Sequence, residues 1–280
     1  MLDIDKFLAA KSESLEGLSY YEVLSRLGLL SFNSQGNRPM ELVARLTGTT
    51  DSSSVLVVGC GAGGTTVHLA ETTGALVFGV DVSAESIRAA ADHVSKLSAG
   101  GRLHFLIGDA HMLPFLRGVV DVVVTEFVAF LLQQDAFEGF FSVLRPGGYV
   151  ALAELVKDPK VDSGADARIL AAEQTYSRLL GYDFHVPLVT QYVEWLERAG
   201  FEQVQVAGRF SEPGFREKIG RVGGWRNLFR ITKVLLRLMW ASRVIRKSFL
   251  QVGSVKRVLV QDKATAKYIS QVVLTGLKPH

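Results

Sequence analysis

The sequence predicts an α/β fold in which a mostly parallel sheet carries helices on both faces. Three observations point there. Short apolar runs alternate with helical patterns from about residue 55 to 206. The runs are apolar at successive positions rather than alternating, as strands covered on both faces must be. The first strand also enters its helix through a glycine-rich turn, VLVVGCGAGG at 55–64, where a parallel unit reverses from strand to helix.

The elements follow in order. Phe7, Leu8, Leu15, Leu18, Tyr21, Leu24 and Leu27 recur at helical spacing between about Ile4 and Leu29 and suggest one or two short capping helices. The turn-rich SFNSQGNRP (31–39) leads into a helix with Pro39 in its first turn and Gly48 at its end. Strands are expected at 55–59, 76–81, 103–109 and 121–126, with helices running to about Glu71 and about Leu97. A helix near Gln134–Leu144 precedes the turn LRPGG and a fifth strand. Residues 157–190, with a helix at Asp166–Leu180, form an insertion over the sheet's rim. The core resumes with a helix at Val189–Ala199 and strands at Glu202–Val206 and 268–277.

At 280 residues and 48% hydrophobic, the chain can bury a substantial core, which excludes a disordered or fibrous protein. No run of about 18 uncharged apolar residues occurs. The stretch MLDIDKFLAAKSESLEG lacks a signal core, so a cytoplasmic protein is expected. Cys60 is the single cysteine, which excludes an internal disulfide and a cysteine-rich metal site; no metal is expected.

Charge is distributed unevenly. Residues 1–217 hold 17 Lys and Arg against 27 Asp and Glu, whereas 218–280 hold 14 against one. In WRNLFRITKVLLRLMWASRVIRKSFL, expected as one helix from about Trp225 to Leu250, Arg226, Arg230, Lys233 and Arg237 are spaced four, three and four along one face. Apolar residues fill most of the remainder. This pattern suits peripheral contact with an anionic membrane. It also suits packing on the rest of the chain or on a second copy in a homodimer. Nucleic acid is a weaker reading, because no recognition module accompanies the basic residues.

Gly59, Gly61, Gly63 and Gly64 let the backbone turn tightly against a ligand whose polar end meets the free N–H groups of a helix start. Gly59, Gly61 and Gly64 also satisfy GxGxxG, the dinucleotide fingerprint. Asp81 would grip a ribose in either case. A nicotinamide-dependent oxidoreductase therefore stays open on this turn alone.

Three further motifs follow in order: GVD at 79–81, GDAHMLPF at 108–115 and DVVVTEFVAF at 121–130, with LRPGG at 144–148 closing the series. Together they make residues 35–206 resemble the class I S-adenosylmethionine-dependent methyltransferases, and within them the small-molecule group acting on ubiquinone, menaquinone, tocopherol and sterol precursors. The resemblance implies a Rossmann-like, seven-stranded, mostly parallel sheet whose last strand is antiparallel. It implies a helical cap over 1–48, a cofactor-binding core over 49–208 with 265–280 and an insertion at 155–190, and a basic helical appendage over 209–264. It also implies S-adenosyl-L-methionine as cofactor, held by Gly59, Cys60, Gly61, Gly63, Asp81, Val82, Asp109, Ala110 and Glu126. Asp81 would accept from both ribose hydroxyls and Asp109 from the adenine amino group. Gln35, Gly36 and Asn37 would lie by the carboxylate end, although a polar turn capping the Pro39 helix explains them equally well. One departure stands out: the family commonly has an acid where this chain has Val57. Its absence would weaken cofactor binding or pass the task to Glu126, or the chain would bind the cofactor without catalysis.

Methyl transfer from a sulfonium needs alignment more than acid–base help. Where the acceptor must lose a proton, the candidate catalytic residues are Glu126, Glu154 and His185, with His111 beside them. The expected acceptor is a small hydrophobic or prenylated molecule, methylated on oxygen or carbon. A single thiol argues against arsenic methylation, and the lack of an NPPY-like sequence after strand four argues against DNA amino-methylation.

Overall fold

The computed structural model describes residues 20–26, 35–95, 102–181, 183–210 and 225–280. Seven strands form one sheet: β1 (Ser54–Val58), β2 (Leu76–Asp81), β3 (Leu103–Ile107), β4 (Val120–Glu126), β5 (Leu144–Lys157), β6 (Glu202–Phe210) and β7 (Ile269–Leu277), in the order β3-β2-β1-β4-β5-β7-β6. Strands β1 to β5 pair in parallel, and β7 runs antiparallel between β5 and β6. The order reverses between β1 and β4, and at that point an α/β sheet opens a crevice at its carboxyl edge.

The helices are α1 (Tyr20–Arg26), α2 (Arg38–Leu46), α3 (Gly64–Thr73), α4 (Ala84–Val94), α5 (Gln134–Val143), α6 (Ser163–Leu180), α7 (Val189–Arg198), α8 (Trp225–Ala241), α9 (Arg243–Lys256) and α10 (Lys263–Ala266). Side chains that alternate along each strand serve two different cores. Leu56 and Val58 of β1, Val123 of β4 and Leu152 of β5 pack with Phe137 and Phe140 of α5 and with Tyr192 and Leu196 of α7. Val55, Val57, Val122, Val124, Ala151 and Ala153 face the other way, against Met40 and Val43 of α2 and Leu69 of α3. Burial on both sides explains the unbroken apolar runs in the sequence.

Two helices end where the sequence says they should. Pro39 occupies the first turn of α2, and Gly48 beyond it takes φ 61°. Asp162 caps α6 by accepting from the Ala165 N–H at 2.8 Å, and Gly181 closes that helix in the left-handed region. Two expectations needed adjustment. Strand β6 runs on to Phe210 rather than stopping at Val206. The basic stretch 225–250 is two helices rather than one, because Ser242 adopts an extended backbone (φ −129°, ψ 121°) and its hydroxyl accepts from the Ile245 N–H to cap α9. The proposed N-terminal helices lie outside the described residues except for α1.

Segment α8 to α10 is inserted between β6 and β7; α9 packs on α6 and α8 on α9. Among the described residues no helix is long and apolar enough to cross a membrane.

Candidate active site

A cleft of about 690 Å³ opens at the carboxyl ends of β1, β2 and β4, within the range of small-molecule sites. Its floor is the turn after β1. Gly59, Gly61 and Gly63 all have positive φ (66°, 53° and 85°). A Cβ on Gly59 would lie 2.4 Å from Cγ2 of Val128, and one on Gly63 would lie 2.9 Å from the Phe105 ring. These two glycines are required by the protein's own packing. At Gly61 nothing lies within 4 Å, so its bare backbone faces the open cleft.

Asp81 ends β2 and is fixed by backbone donors from both sides. Gly61 N–H donates to Oδ2 at 2.9 Å, and Ser83 N–H donates to Oδ1 at 2.9 Å. Burial raises its pKa above the ordinary carboxylate value, against the pull of these two N–H groups, and Glu22 adds to the rise. Each oxygen keeps lone-pair capacity for a ligand hydroxyl. Cys60, next to it in the fold, is buried, and burial and then the Asp81 charge push its thiol pKa well up. It is a packing residue, with its backbone in the cleft wall.

Two connections bring α1 over this end of the cleft. The Ser83 hydroxyl donates to Glu22 Oε1 at 3.0 Å, and Ser25 and Ser86 share a hydrogen bond at 3.2 Å. Val82, 76% exposed, projects beside Asp81 in the same wall.

Asp109 and His111 define the third side. Asp109 Oδ1 accepts from the His111 backbone N–H and lies 2.9 Å from His111 Nδ1. These contacts, the backbone one foremost, hold the Asp109 carboxyl below its usual pKa. Gln133 N–H donates to His111 Nε2 at 3.3 Å, which assigns the proton of the neutral ring to Nδ1. Both Oδ1 contacts leave Oδ2 of Asp109 able to accept from a ligand amine.

Glu126 closes β4 and meets the start of α3, where the Thr65 hydroxyl donates to its Oε2. Beyond it Phe127 adopts φ 56°, uncommon for a non-glycine residue, and Phe127, Val128, Leu131 and Leu132 form an apolar wall.

The structure thus brings Gly59, Cys60, Gly61, Asp81, Val82, Asp109, Ala110 and Glu126 around one cleft; Gly63 supports it from behind, as the N-cap of α3. Other candidates lie elsewhere. Glu154 is fully buried beneath the β4–α5 loop, where its Oε1 accepts from the Thr125 hydroxyl and the N–H groups of Val128 and Ala129 at 2.8, 3.1 and 3.0 Å. Burial raises its pKa to about 7 despite those donors. His185 is exposed on the insertion, outside the cleft. Gly36 and Asn37 form the turn into α2 and are not in the cleft wall. The sequence reading missed Thr65, Ser83, Glu22 and the apolar wall. For Ser83 a signal existed: a serine two residues beyond the strand-ending acid, at a helix start, is an N-cap.

Residues 55–148, which carry β1 to β4 and the start of β5, match the family described as a methyltransferase domain. Erythromycin 3''-O-methyltransferase of Saccharopolyspora erythraea is 31% identical over 170 residues, covering 59% of this chain and 55% of that protein. Phosphoethanolamine N-methyltransferase of Triticum aestivum is 27% identical over 209 residues, 74% of this chain and 39% of that one. The chain therefore spans about half the length, or less, of these curated relatives. Among solved structures, geranyl diphosphate C-methyltransferase from Streptomyces coelicolor, in complex with geranyl diphosphate and S-adenosylhomocysteine, superposes with a TM-score of 0.60 at 13% identity over 94% of this chain and 86% of that one.

Proposed function

We propose that the chain transfers a methyl group from S-adenosylmethionine to a small hydrophobic acceptor, prenylated compounds included, on oxygen or carbon. The observation that carries this is the division of one cleft into a polar half, around Asp81, and an apolar half, Phe127, Val128, Leu131 and Leu132. The residues fit the cofactor. Asp81, pinned by Gly61 and Ser83, accepts from two ribose hydroxyls, which a fixed carboxylate does without reorganising. Asp109 Oδ2 takes the adenine amino group, and Val82 and Ala110 cover the ring. Glu126, beside Thr65 at the start of α3, takes the cationic amino group that an acid at position 57 would otherwise hold.

When bound, S-adenosylmethionine supplies a methyl group on a sulfonium, an activated electrophile. The chain's part is to align the acceptor with that methyl and to exclude water, and the apolar wall does both. His111, with Nδ1–H engaged by Asp109 and Nε2 facing Gln133, is placed to receive an acceptor proton after an exchange of partners. The same reading carries a cytoplasmic place of action.

Calorimetric titration with S-adenosylmethionine, S-adenosylhomocysteine and NADH tests the first half. Micromolar binding of the two sulfur nucleotides and none of NADH is expected. Binding of NADH alone would overturn the proposal. With binding established, transfer of labelled methyl groups to quinols, prenyl compounds and polar amines tests the second half, and turnover on polar amines alone would exclude the hydrophobic acceptor.

A further inference from the structure

Helix α8 has three faces of different chemistry. Ile231, Val234 and Leu238, spaced three and four, are buried against the protein. Trp225, Phe229, Leu236 and Trp240 are spaced four, seven and four. They therefore lie within an arc of roughly 60° on the side opposite the buried face. All four are exposed, at 64%, 73%, 62% and 86%. Arg226, Arg230, Lys233 and Arg237 run beside this aromatic stripe as its flank, also exposed. Helix α9 continues the charge with exposed Arg243, Arg246 and Lys247 around exposed Leu250. The whole stretch from Lys218 to Gln261 contains 11 basic residues and no acidic one.

We infer that α8 is a docking element for an anionic lipid bilayer, its Trp225–Phe229–Leu236–Trp240 stripe entering the interface while the basic flank engages lipid phosphates. The chemistry selects this occupant over others. Aromatic residues with a polar edge partition to the headgroup level, and each basic residue near an anionic surface adds attraction. A basic partner protein or a second copy of this helix would bring like charge onto the flank. The geometry also fits a helix lying in the surface plane. Its polar and apolar stripes run parallel along 17 residues, and no described helix spans a membrane. The inference rests on the proposed function only in that a bilayer is a source of hydrophobic acceptors; it concerns a surface away from the cleft.

The test is flotation of the full chain with phosphatidylcholine vesicles, with and without a substantial fraction of phosphatidylglycerol, at about 0.1 M salt. Binding to the anionic vesicles and not to the neutral ones is expected, with quenching of tryptophan emission by brominated lipid. Arg230→Gln with Lys233→Gln should weaken partitioning roughly thirtyfold, at about 1 kcal/mol for each charge removed. Phe229→Ser with Trp240→Ser should weaken it at least tenfold and, because both side chains are exposed, leave the circular dichroism spectrum unchanged. Equal binding by the aromatic variant would overturn the inference, as would absence from anionic vesicles. A dimer in sedimentation velocity that Trp240→Ser dissociates, without vesicle binding, would assign the stripe to a second copy instead. RNA binding without vesicle binding would assign it to nucleic acid. S-adenosylhomocysteine titrated into the same samples separates the two proposals: intact nucleotide binding with no flotation removes the membrane and leaves the methyltransferase reading standing.

Discussion

Asp81 accepts from two N–H groups two and twenty residues away in sequence, Ser83 and Gly61, so its orientation is set before any ligand arrives. Asp81→Ala should lower affinity for S-adenosylhomocysteine at least tenfold in calorimetry, because two charge-assisted hydrogen bonds are lost together. Since burial raises the Asp81 pKa, affinity should decline on acidification at a higher pH than an exposed aspartate would cause. The glycines give a sharper comparison. Gly59→Ala meets Val128 and needs φ 66° from an alanine, so urea denaturation should show a loss of about 1–3 kcal/mol. Gly61→Ala meets nothing in the protein; it should cost stability only for its backbone, about 1 kcal/mol, and lose nucleotide binding instead. The glycines and both acids were legible in the sequence because the motif fixes them within a few residues of a strand end. Thr65 was not, because its partner Glu126 lies 61 positions away.

At the scale of elements, the β4–α5 connection is held from below. Glu154 Oε1 gathers the N–H groups of Val128 and Ala129, and these are the residues that follow Phe127 into the apolar wall. Sequence position had put Glu154 at the carboxyl edge of β5 and so among the candidate bases. Strand β5 continues past it to Lys157 and pairs with β7 from Tyr149 to Lys157, which leaves the side chain under the loop. It is a positioning residue. Its pKa rises from the ordinary 4.5 to about 7 on folding. The native state therefore holds this proton more tightly than the unfolded chain, and the contribution to stability is complete below about pH 4.5 and lost as pH rises through about 7. Glu154→Gln keeps an acceptor for the same donors and removes the titration. Its stability relative to the unaltered protein should grow by about 3 kcal/mol between about pH 4.5 and pH 8 in urea denaturation. A difference that does not change with pH would show that the carboxyl is not buried as described. Ser242 acts at the same scale. A single residue whose hydroxyl caps α9 divides an apolar and basic run that periodicity alone reads as one helix. Ser242→Ala should destabilise the protein by about 1 kcal/mol.

For the whole molecule, the cleft joins the ends of three strands, two loops and α1, so a ligand there stabilises every element it touches. S-adenosylhomocysteine at about 100 times its dissociation constant should add about 2.7 kcal/mol and raise the melting temperature by about 4 °C. At the same ligand concentration the shift should fall to about half or less with Asp81→Ala and persist with the aromatic substitutions on α8. The sequence by itself determined the α/β class, the strand and helix order, the glycine turn and the acids that end β2 and follow β3. These features depend on periodicity and on conformations confined to a few consecutive residues. The tertiary structure alone decided that Glu126 meets Thr65, that Glu154 is buried while His185 stands outside the cleft, and that the tryptophans of α8 face away from the protein. Each of these depends on which distant segment covers a side chain, and burial is a property of the packed sheet and its layers that local pattern does not contain.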